Sequence, residues 1–336
     1  MTTFVSVPAG IGYESINWTL MRNKVRAQSW LGKTSQEQAR PGDYWKASVT
    51  FSKETGRDGL LLTKFLEEAS VAGARIIIDA PQMRLGAWST PEMLVNYILD
   101  TTANWAGLGS GGVFSVNARR FLITSGGSSY GPYSDSPTTG GVPHAALGDA
   151  IPGLGSTQWR LELREQPSNV LLETVDATAG GRIIAATTLS AGATHTRAAY
   201  RNRSTGAGSK VLWGNPSVGR CLLVNGASQV GNRLNVSGGP ANVSAAMLAG
   251  EFVTVEMGIG TSQLLRLVDD FDADGSGLGE LRFEPTLRDS PASGAAVIVH
   301  KPYSDRMILT QGHAPVDIRA PMTYSTTVEF EEDLSA

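Results

Sequence analysis

Apolar and polar residues alternate at period two over residues 44–51, where Trp45, Ala47, Val49 and Phe51 are separated by Lys46, Ser48 and Thr50. That period sends one set of side chains to a core and the other to solvent, so it predicts a strand with one buried face. The period then changes. Leu61, Leu62, Phe65, Leu66 and Ala69 recur at i, i+1, i+4, i+5 and i+8, an amphipathic helical stripe that Asp58 caps and Gly73 terminates. Residues 75–79, with three consecutive isoleucines, read as a further strand. A second helix is expected from Pro91, with Thr90 ahead of it, Glu92 in its first turn and Leu94, Val95, Ile98 and Leu99 on its apolar face.

Elsewhere the pattern is that of strands and turns. Strands are expected between Val5 and Val25, and the polar stretch 31–42, ending in Pro41-Gly42, is expected to be a loop. Residues 106–158 are rich in Gly and Ser and read as long surface loops interrupted by strands at 113–116 and 121–124. From Trp159 the alternation returns. Segments 159–164, 169–175, 181–185 and 195–200 follow one another at the short spacing of a small sandwich. Further strands are predicted at 254–257, 264–268, 280–283 and 295–299. A terminal strand at 326–330 is expected to pair into a sheet or with a neighbouring subunit. The fold class that follows is mainly β with a few short helices, built as β-sandwich or barrel-like units.

Composition narrows the function. With 336 residues and 41% hydrophobic content the chain has material for about two domains. Its net charge of −3 provides no global basic field for nucleic acid, so no sequence-specific nucleic-acid contact is expected. The 39 glycines favour tight turns over helical bundles. The single cysteine, Cys221, excludes an internal disulfide framework and reads as a buried strand residue. The first residues, Met1 to Pro8, do not read as a secretory signal, and no apolar run is long enough for a membrane span.

The chain has no Walker loop, no His-Glu-x-x-His and no Gly-x-Gly-x-x-Gly opening a helix after a strand. His144, His195, His300 and His313 share no ligand spacing. No carboxylate pair stands apart as a glycosidase pair would. Asp270, Asp272 and Asp274 followed by Gly275 begin like a calcium loop, but Glu280 falls one position short of the closing ligand and Gly277 replaces the hydrophobic anchor, so a polar hairpin turn is the favoured reading. No catalytic, cofactor-binding or metal-binding residue is therefore assigned. Tyr130, Tyr133, Trp159 and Tyr200 have the chemistry to stack on sugar rings, but packing a sandwich core is the favoured reading, and Tyr130, Tyr133 and Trp159 are kept as the surface-binding candidates.

Two stretches carry a family resemblance. One is Gly42-Asp43-Tyr44-Trp45-Lys46-Ala47-Ser48-Val49-Thr50-Phe51 with the helix and strand after it. The other runs from Val224 through Leu248-Ala249-Gly250-Glu251, Asp274-Gly275-Ser276-Gly277 and Phe283-Glu284-Pro285-Thr286-Leu287-Arg288 to Met307-Ile308-Leu309. This succession resembles the distal tail protein and related tail-tip or baseplate proteins of long-tailed bacteriophages. The resemblance covers roughly 40–90 and 210–310. It implies a ring-forming framework from 1–88 and 209–336, interrupted by an inserted β-rich domain at 89–208 that is peripheral or adhesive. It further implies a structural, non-enzymatic virion protein, made in the host bacterial cytoplasm. Such a protein forms a homo-oligomeric ring, commonly a hexamer, between a tail tube protein and a tail hub protein, with Arg288 free to pair across a subunit contact. The alternative is a carbohydrate- or receptor-binding tail protein that contacts a host surface glycan through the inserted domain.

Overall fold

The structure is a computed structural model that describes residues 3–8, 11–28, 35–39, 42–80, 106–108, 113–117, 120–124, 131–137, 141–152, 158–166, 168–178, 180–203, 210–258, 261–310, 316–319 and 323–334. In its first part the strands are β1 Thr3–Ser6, β2 Tyr13–Met21, β3 Lys24–Gln28, β4 Ser35–Ala39 and β5 Tyr44–Thr55, followed by helix α1 Gly56–Ala69 and β6 Ala74–Asp79. The middle holds β7 Ala106–Leu108, β8 Val113–Asn117, β9 Arg120–Thr124, β10 Gly131–Pro137, β11 Pro143–Pro152, β12 Trp159–Gln166, β13 Val170–Ala177, β14 Gly181–Thr188 and β15 His195–Asn202. The last part opens with β16 Lys210–Val224, then β17 Arg233–Ser237, β18 Val243–Met247, β19 Phe252–Gly258, β20 Thr261–Leu267 and β21 Phe271–Ala273. It closes with β22 Gly279–Glu284, β23 Ala296–Ile298, β24 Tyr303–Leu309, β25 Asp317–Arg319 and β26 Thr323–Glu332. The protein is mainly β, with one helix among the described residues.

Three packed units result. The first is a sheet in the order β1-β6-β24-β26-β5-β2, with β25 on β26, and α1 lies across it. Leu62, Phe65 and Leu66 of the helix meet Val49, Phe51, Ile76 and Phe330 of the sheet, and the Phe51 and Phe65 rings meet at 5.9 Å. The terminal strand β26 pairs within its own chain, between β5 and β24.

The second unit is a sandwich. One sheet runs β13-β12-β15-β10-β7, and the facing sheet takes β14, β11, β9, β8 and the first part of β16. Trp159, Leu161 and Leu163 from β12, Tyr200 from β15 and Trp213 from β16 fill the space between them. The Tyr200 hydroxyl donates to the Leu147 carbonyl at 2.9 Å. The close approach of this ring to β11 requires glycine at 148, because a Cβ there would lie 2.6 Å from Tyr200 Cε1.

The third unit is a closed barrel. Its strands pair in the order β16-β17-β22-β20-β19-β23, and β23 returns to pair with β16. Leu222, Val236, Val255, Leu265, Phe283 and Val297 fill its interior. Strand β16 therefore serves two units, with its early residues on β9 and β11 and Cys221–Val224 on β17 and β23. It begins at Lys210, just after the expected boundary at 208/209, and the sandwich core includes Trp213 and Val218 beyond that boundary.

Two local expectations are corrected. The stretch 31–42 is not all loop, because β4 pairs with β3 as a hairpin. Its sequence, Ser-Gln-Glu-Gln-Ala, lacks an apolar face, so backbone pairing there leaves no trace in hydrophobic periodicity. The helix starts at Gly56 with an extended Thr55 ahead of it and no side-chain cap, and Asp58 lies in the first turn. Asp58 therefore acts through the favourable field of the helix N-terminus and not as a cap. The second helix expected from Pro91 lies outside the described residues.

Helix α1 yields a sharp test. Alanine ordinarily stabilises a helix relative to glycine by about 1 kcal/mol. At Gly59, however, a Cβ would lie 2.0 Å from Cδ2 of the buried Tyr324. Overpacking costs about 1–3 kcal/mol, so Gly59→Ala is expected to lower stability in urea unfolding despite its better helix propensity.

Candidate functional site

The most concentrated buried chemistry lies where the three units meet. Arg182 projects from β14 and is 1% exposed at its side chain. Its Nε and Nη2 donate to the two oxygens of Asp149 on β11 at 2.6 and 3.0 Å. Its Nη1 donates to Asp79 Oδ1, at the end of β6, at 2.5 Å. The guanidinium carbon stands 4.3 Å from the centre of the Tyr303 ring, and Lys301 Nζ lies 3.8 Å from the other oxygen of Asp79. Tyr303 is held in turn by Thr254 of the barrel, whose hydroxyl accepts from the Tyr303 N–H and donates to its carbonyl, both at 2.7 Å. One guanidinium thus joins the sandwich to the helix-backed sheet and rests on a ring tied to the barrel. Burial alone would raise the Asp79 carboxyl, but Arg182 and Lys301 hold it below the usual range. A cleft of about 330 Å³ opens beside the joint, between Phe4, Arg75, Gly181 and Thr261.

These three charged residues were not singled out in the sequence. The signal was present: Asp149 is a lone charge within Ala145–Ile151, and Arg182 stands between Gly181 and two isoleucines. A single charge inside an apolar strand marks a buried partner.

A second joint involves the segments that carry the family resemblance. Glu332, at the end of β26, accepts from Arg288 Nη1 at 2.7 Å and lies 2.5 Å from its Nη2, and it also takes the Trp45 N–H at 3.1 Å. The Trp45 indole N–H donates to Leu264 O on β20 at 2.8 Å. Gln263 accepts from the Arg288 N–H at 3.0 Å and donates to Thr286 O at 2.8 Å. Arg288 is therefore committed within its own chain and not free for a subunit contact. It pairs there because the 283–288 segment lies against the terminal strand. The Leu248–Glu251 step is a tight turn from β18 into β19, with Gly250 at φ 95° and its N–H on Leu267 O. Residues 274–277 form the expected β-turn, closed by Gly277 N–H to Asp274 O at 3.0 Å.

The sequence candidates fall in different places. Trp159 is buried between the sandwich sheets and is corrected as a surface-binding residue, because it begins the inward series Trp159, Leu161, Leu163. Tyr133 lies opposite Ala199 in the β10–β15 register, and Tyr130 lies outside the described residues. The three aspartates of the calcium-like stretch do not converge. Asp270 accepts from Ala249 N–H, Asp272 from Ala245 N–H, and Asp274 from the N–H groups of Ser276 and Leu278. His144 is buried, which lowers it to about 4, and His195 is exposed. His300 sits against Ser217 Oγ at 2.9 Å and Arg220 O at 3.2 Å, and His313 lies outside the described residues. Cys221 is buried, and burial pushes its thiol up.

The fold thus defines a multi-unit β-protein whose buried charges act as joints. No family model matches the chain, and no curated protein matches it. Among solved structures it is similar to the CBM22-1–GH10 modules of xylanase 10B from Clostridium thermocellum. That match has 17% identity, 39% of this chain, 28% of that chain and a TM-score of 0.32. It is also similar to the CBM22-1 xylan-binding domain of Paenibacillus barcinonensis Xyn10C, at 12% identity, 39% of this chain, 96% of that chain and a TM-score of 0.30. A third is the enzymatically active domain of bacteriophage CBA120 tailspike protein 4, at 10% identity, 38% of this chain, 21% of that chain and a TM-score of 0.31. The chain thus spans less than a third of the xylanase and tailspike chains. Likeness at these scores carries no functional information.

Two expectations follow from the buried charges. Arg182→Met removes the guanidinium that Asp149 and Asp79 share and should lower stability by about 3–5 kcal/mol in urea unfolding. Adding Asp149→Leu and Asp79→Asn should recover most of that loss. The second concerns pH. Burial pushes Asp305 and Glu256 each up to about 7. A carboxyl raised in the folded state favours folding while protonated, so its contribution is lost as pH climbs from the ordinary carboxylate range towards 7. Asp305→Asn is expected to flatten that part of the stability–pH curve. The depressed Asp79 has the opposite sign, and its contribution disappears as pH falls below the usual carboxylate range.

Proposed function

We propose that the chain is a structural subunit of a bacteriophage tail tip, forming a homo-oligomeric ring between tail tube and hub, and that it works by assembly and not by catalysis. The observation that carries this reading is the outer strand β2. It ends the helix-backed sheet, and among the described residues no strand pairs with its far side. It is nine residues long and contains neither Lys, Arg nor Pro, and its register on β5 is regular from Ser15 to Met21. Free sheet edges are normally guarded by such residues, because their unpaired N–H and C=O groups recruit other chains. Beyond Glu14 and the register bulge at its start, the edge from Ser15 to Met21 is unguarded, which suits a subunit that is covered on assembly, whereas the neighbouring barrel is closed and offers no edge. A ring needs two different complementary patches on each subunit, and β2 supplies one of them.

The joints around Arg182 and Arg288 support the same reading. They make the units rigid with respect to one another without leaving those groups for chemistry. The virion is the location that this role requires. Light scattering followed by negative-stain imaging is expected to show a closed ring of about six subunits with a central channel. Replacing the exposed Asn17 and Thr19 by Lys should dissociate the ring while changing monomer stability by no more than about 0.5 kcal/mol. A chain that stays monomeric with tail tube and hub proteins present would overturn the proposal.

A further inference from the structure

The sandwich carries an arginine-rich surface that neither joint uses. On β12 the side chains of Arg160, Glu162 and Arg164 alternate with the core residues Trp159, Leu161 and Leu163, so they lie on the outer face of the sheet. On the neighbouring β15, Arg197 and Arg201 alternate with the core residues Ala198 and Tyr200, and Arg203 follows the strand. Strand β13 adds Asp176 opposite Arg160.

The guanidiniums are held in place. Glu162 Oε2 accepts from Arg164 Nε and Nη2, both at 3.1 Å, and lies 2.9 Å from Arg201 Nη2. Arg160 grips Asp176 with two bonds, at 2.7 and 2.5 Å, and Arg203 Nη1 lies 3.4 Å from the same carboxylate. Arg164 donates to the Asn169 carbonyl at 3.3 Å, and Arg197 donates to the Asn169 side-chain oxygen at 3.2 Å. Glu162 is 4% exposed at its side chain, whereas Arg160, Arg164 and Arg203 are 21%, 20% and 36% exposed. Glu162 is thus the floor of the patch, and the guanidiniums share its rim with Asp176, which is 52% exposed. They outnumber the carboxylates, even with Asp135 of β10 counted at the register position opposite Arg197.

We propose that this face of the sandwich binds a carboxylate-bearing polysaccharide. A guanidinium presents a planar fork that matches a carboxylate, and one already oriented loses less freedom on binding than a free side chain. Side chains two residues apart on a strand are about 7 Å apart, and neighbouring strands about 4.8 Å, so the patch is a grid suited to repeated anions on one chain. Glu162, Asp176 and the Asn169 side chain add acceptors among the cations. Those acceptors fit the hydroxyls of a sugar acid and oppose a polyphosphate, as does the net charge of −3. A neutral glycan would leave the guanidiniums unused. The site rests on the carbohydrate-binding alternative for the inserted domain and not on the ring.

The test uses the full chain and isothermal titration with polygalacturonate and alginate as carboxylated probes, dextran as the neutral one and duplex DNA as the polyphosphate. Saturable binding to a carboxylated probe, weakened by salt, is expected, with dextran and DNA bound at least about tenfold more weakly. Arg197→Gln with Arg203→Gln avoids the residues that hold Glu162 and should weaken binding about tenfold with unchanged thermal unfolding. Arg233→Gln, an exposed arginine on the barrel, should leave binding unchanged. Absence of binding to both carboxylated probes, equal binding of dextran or DNA, or full affinity in the double variant would each overturn the proposal. Subunit mass measured on the same samples keeps its failure separate from failure of the ring reading.

Discussion

Burying Arg182 is the constraint on which the arrangement of the molecule depends. A guanidinium removed from water costs several kcal/mol unless its donors are met by well-placed acceptors. Here the acceptors come from separate parts of the chain, Asp149 on the neighbouring strand and Asp79 from a unit more than a hundred residues away. The sandwich and the helix-backed sheet must dock in one register for both to be satisfied. A slip of one residue would leave a buried charge unmatched, a larger penalty than the loss of any single apolar contact at the same interface. The contacts around the charge, among Ile77, Leu147, Ile184, Ile298 and Tyr303, supply non-directional attraction. The ion pairs supply the directionality.

A second device makes the units inseparable. Because β16 contributes Trp213 and Val218 to the sandwich and Leu222 and Val224 to the barrel, neither core is complete without the same strand. The chain leaves the sandwich differently from a domain hung on a flexible linker. At its exit it continues straight into the barrel wall. Force or displacement applied to the sandwich would pass along that strand's hydrogen bonds into the barrel. Through Tyr303 and Thr254, and through Glu332 and Arg288, it would then pass into the sheet that carries β2. Such continuity suits a scaffold that must hold a peripheral unit at a defined angle.

The distribution of surface features matches that division of labour. The strand edge suited to pairing with other chains belongs to the helix-backed sheet, and the guanidinium-rich face belongs to the sandwich. Recruitment by unpaired backbone groups and by charged side chains draws on different chemistry, so the two surfaces can act without interfering.

Much of this was legible in the sequence, and particular residues show where legibility stopped. Period-two alternation determined that Trp159, Leu161 and Leu163 share one face and Arg160, Glu162 and Arg164 the other, and the helical stripe through Leu62, Phe65 and Leu66 determined α1. Strand β4 was invisible because it has no apolar face to repeat. Trp159 stayed a candidate for the surface beside the favoured core reading, because alternation gives two faces without saying which is inside. Arg160 and Arg182 make the same point most directly. Each stands in a strand beside apolar neighbours, and each projects from an outer face of the sandwich. One face remains at the surface, while the other is covered by the rest of the molecule, so one arginine is 21% exposed and the other 1%. Local periodicity records only the side of a strand on which a residue lies. What packs against that side depends on residues far away in the chain, and only the tertiary structure decides it.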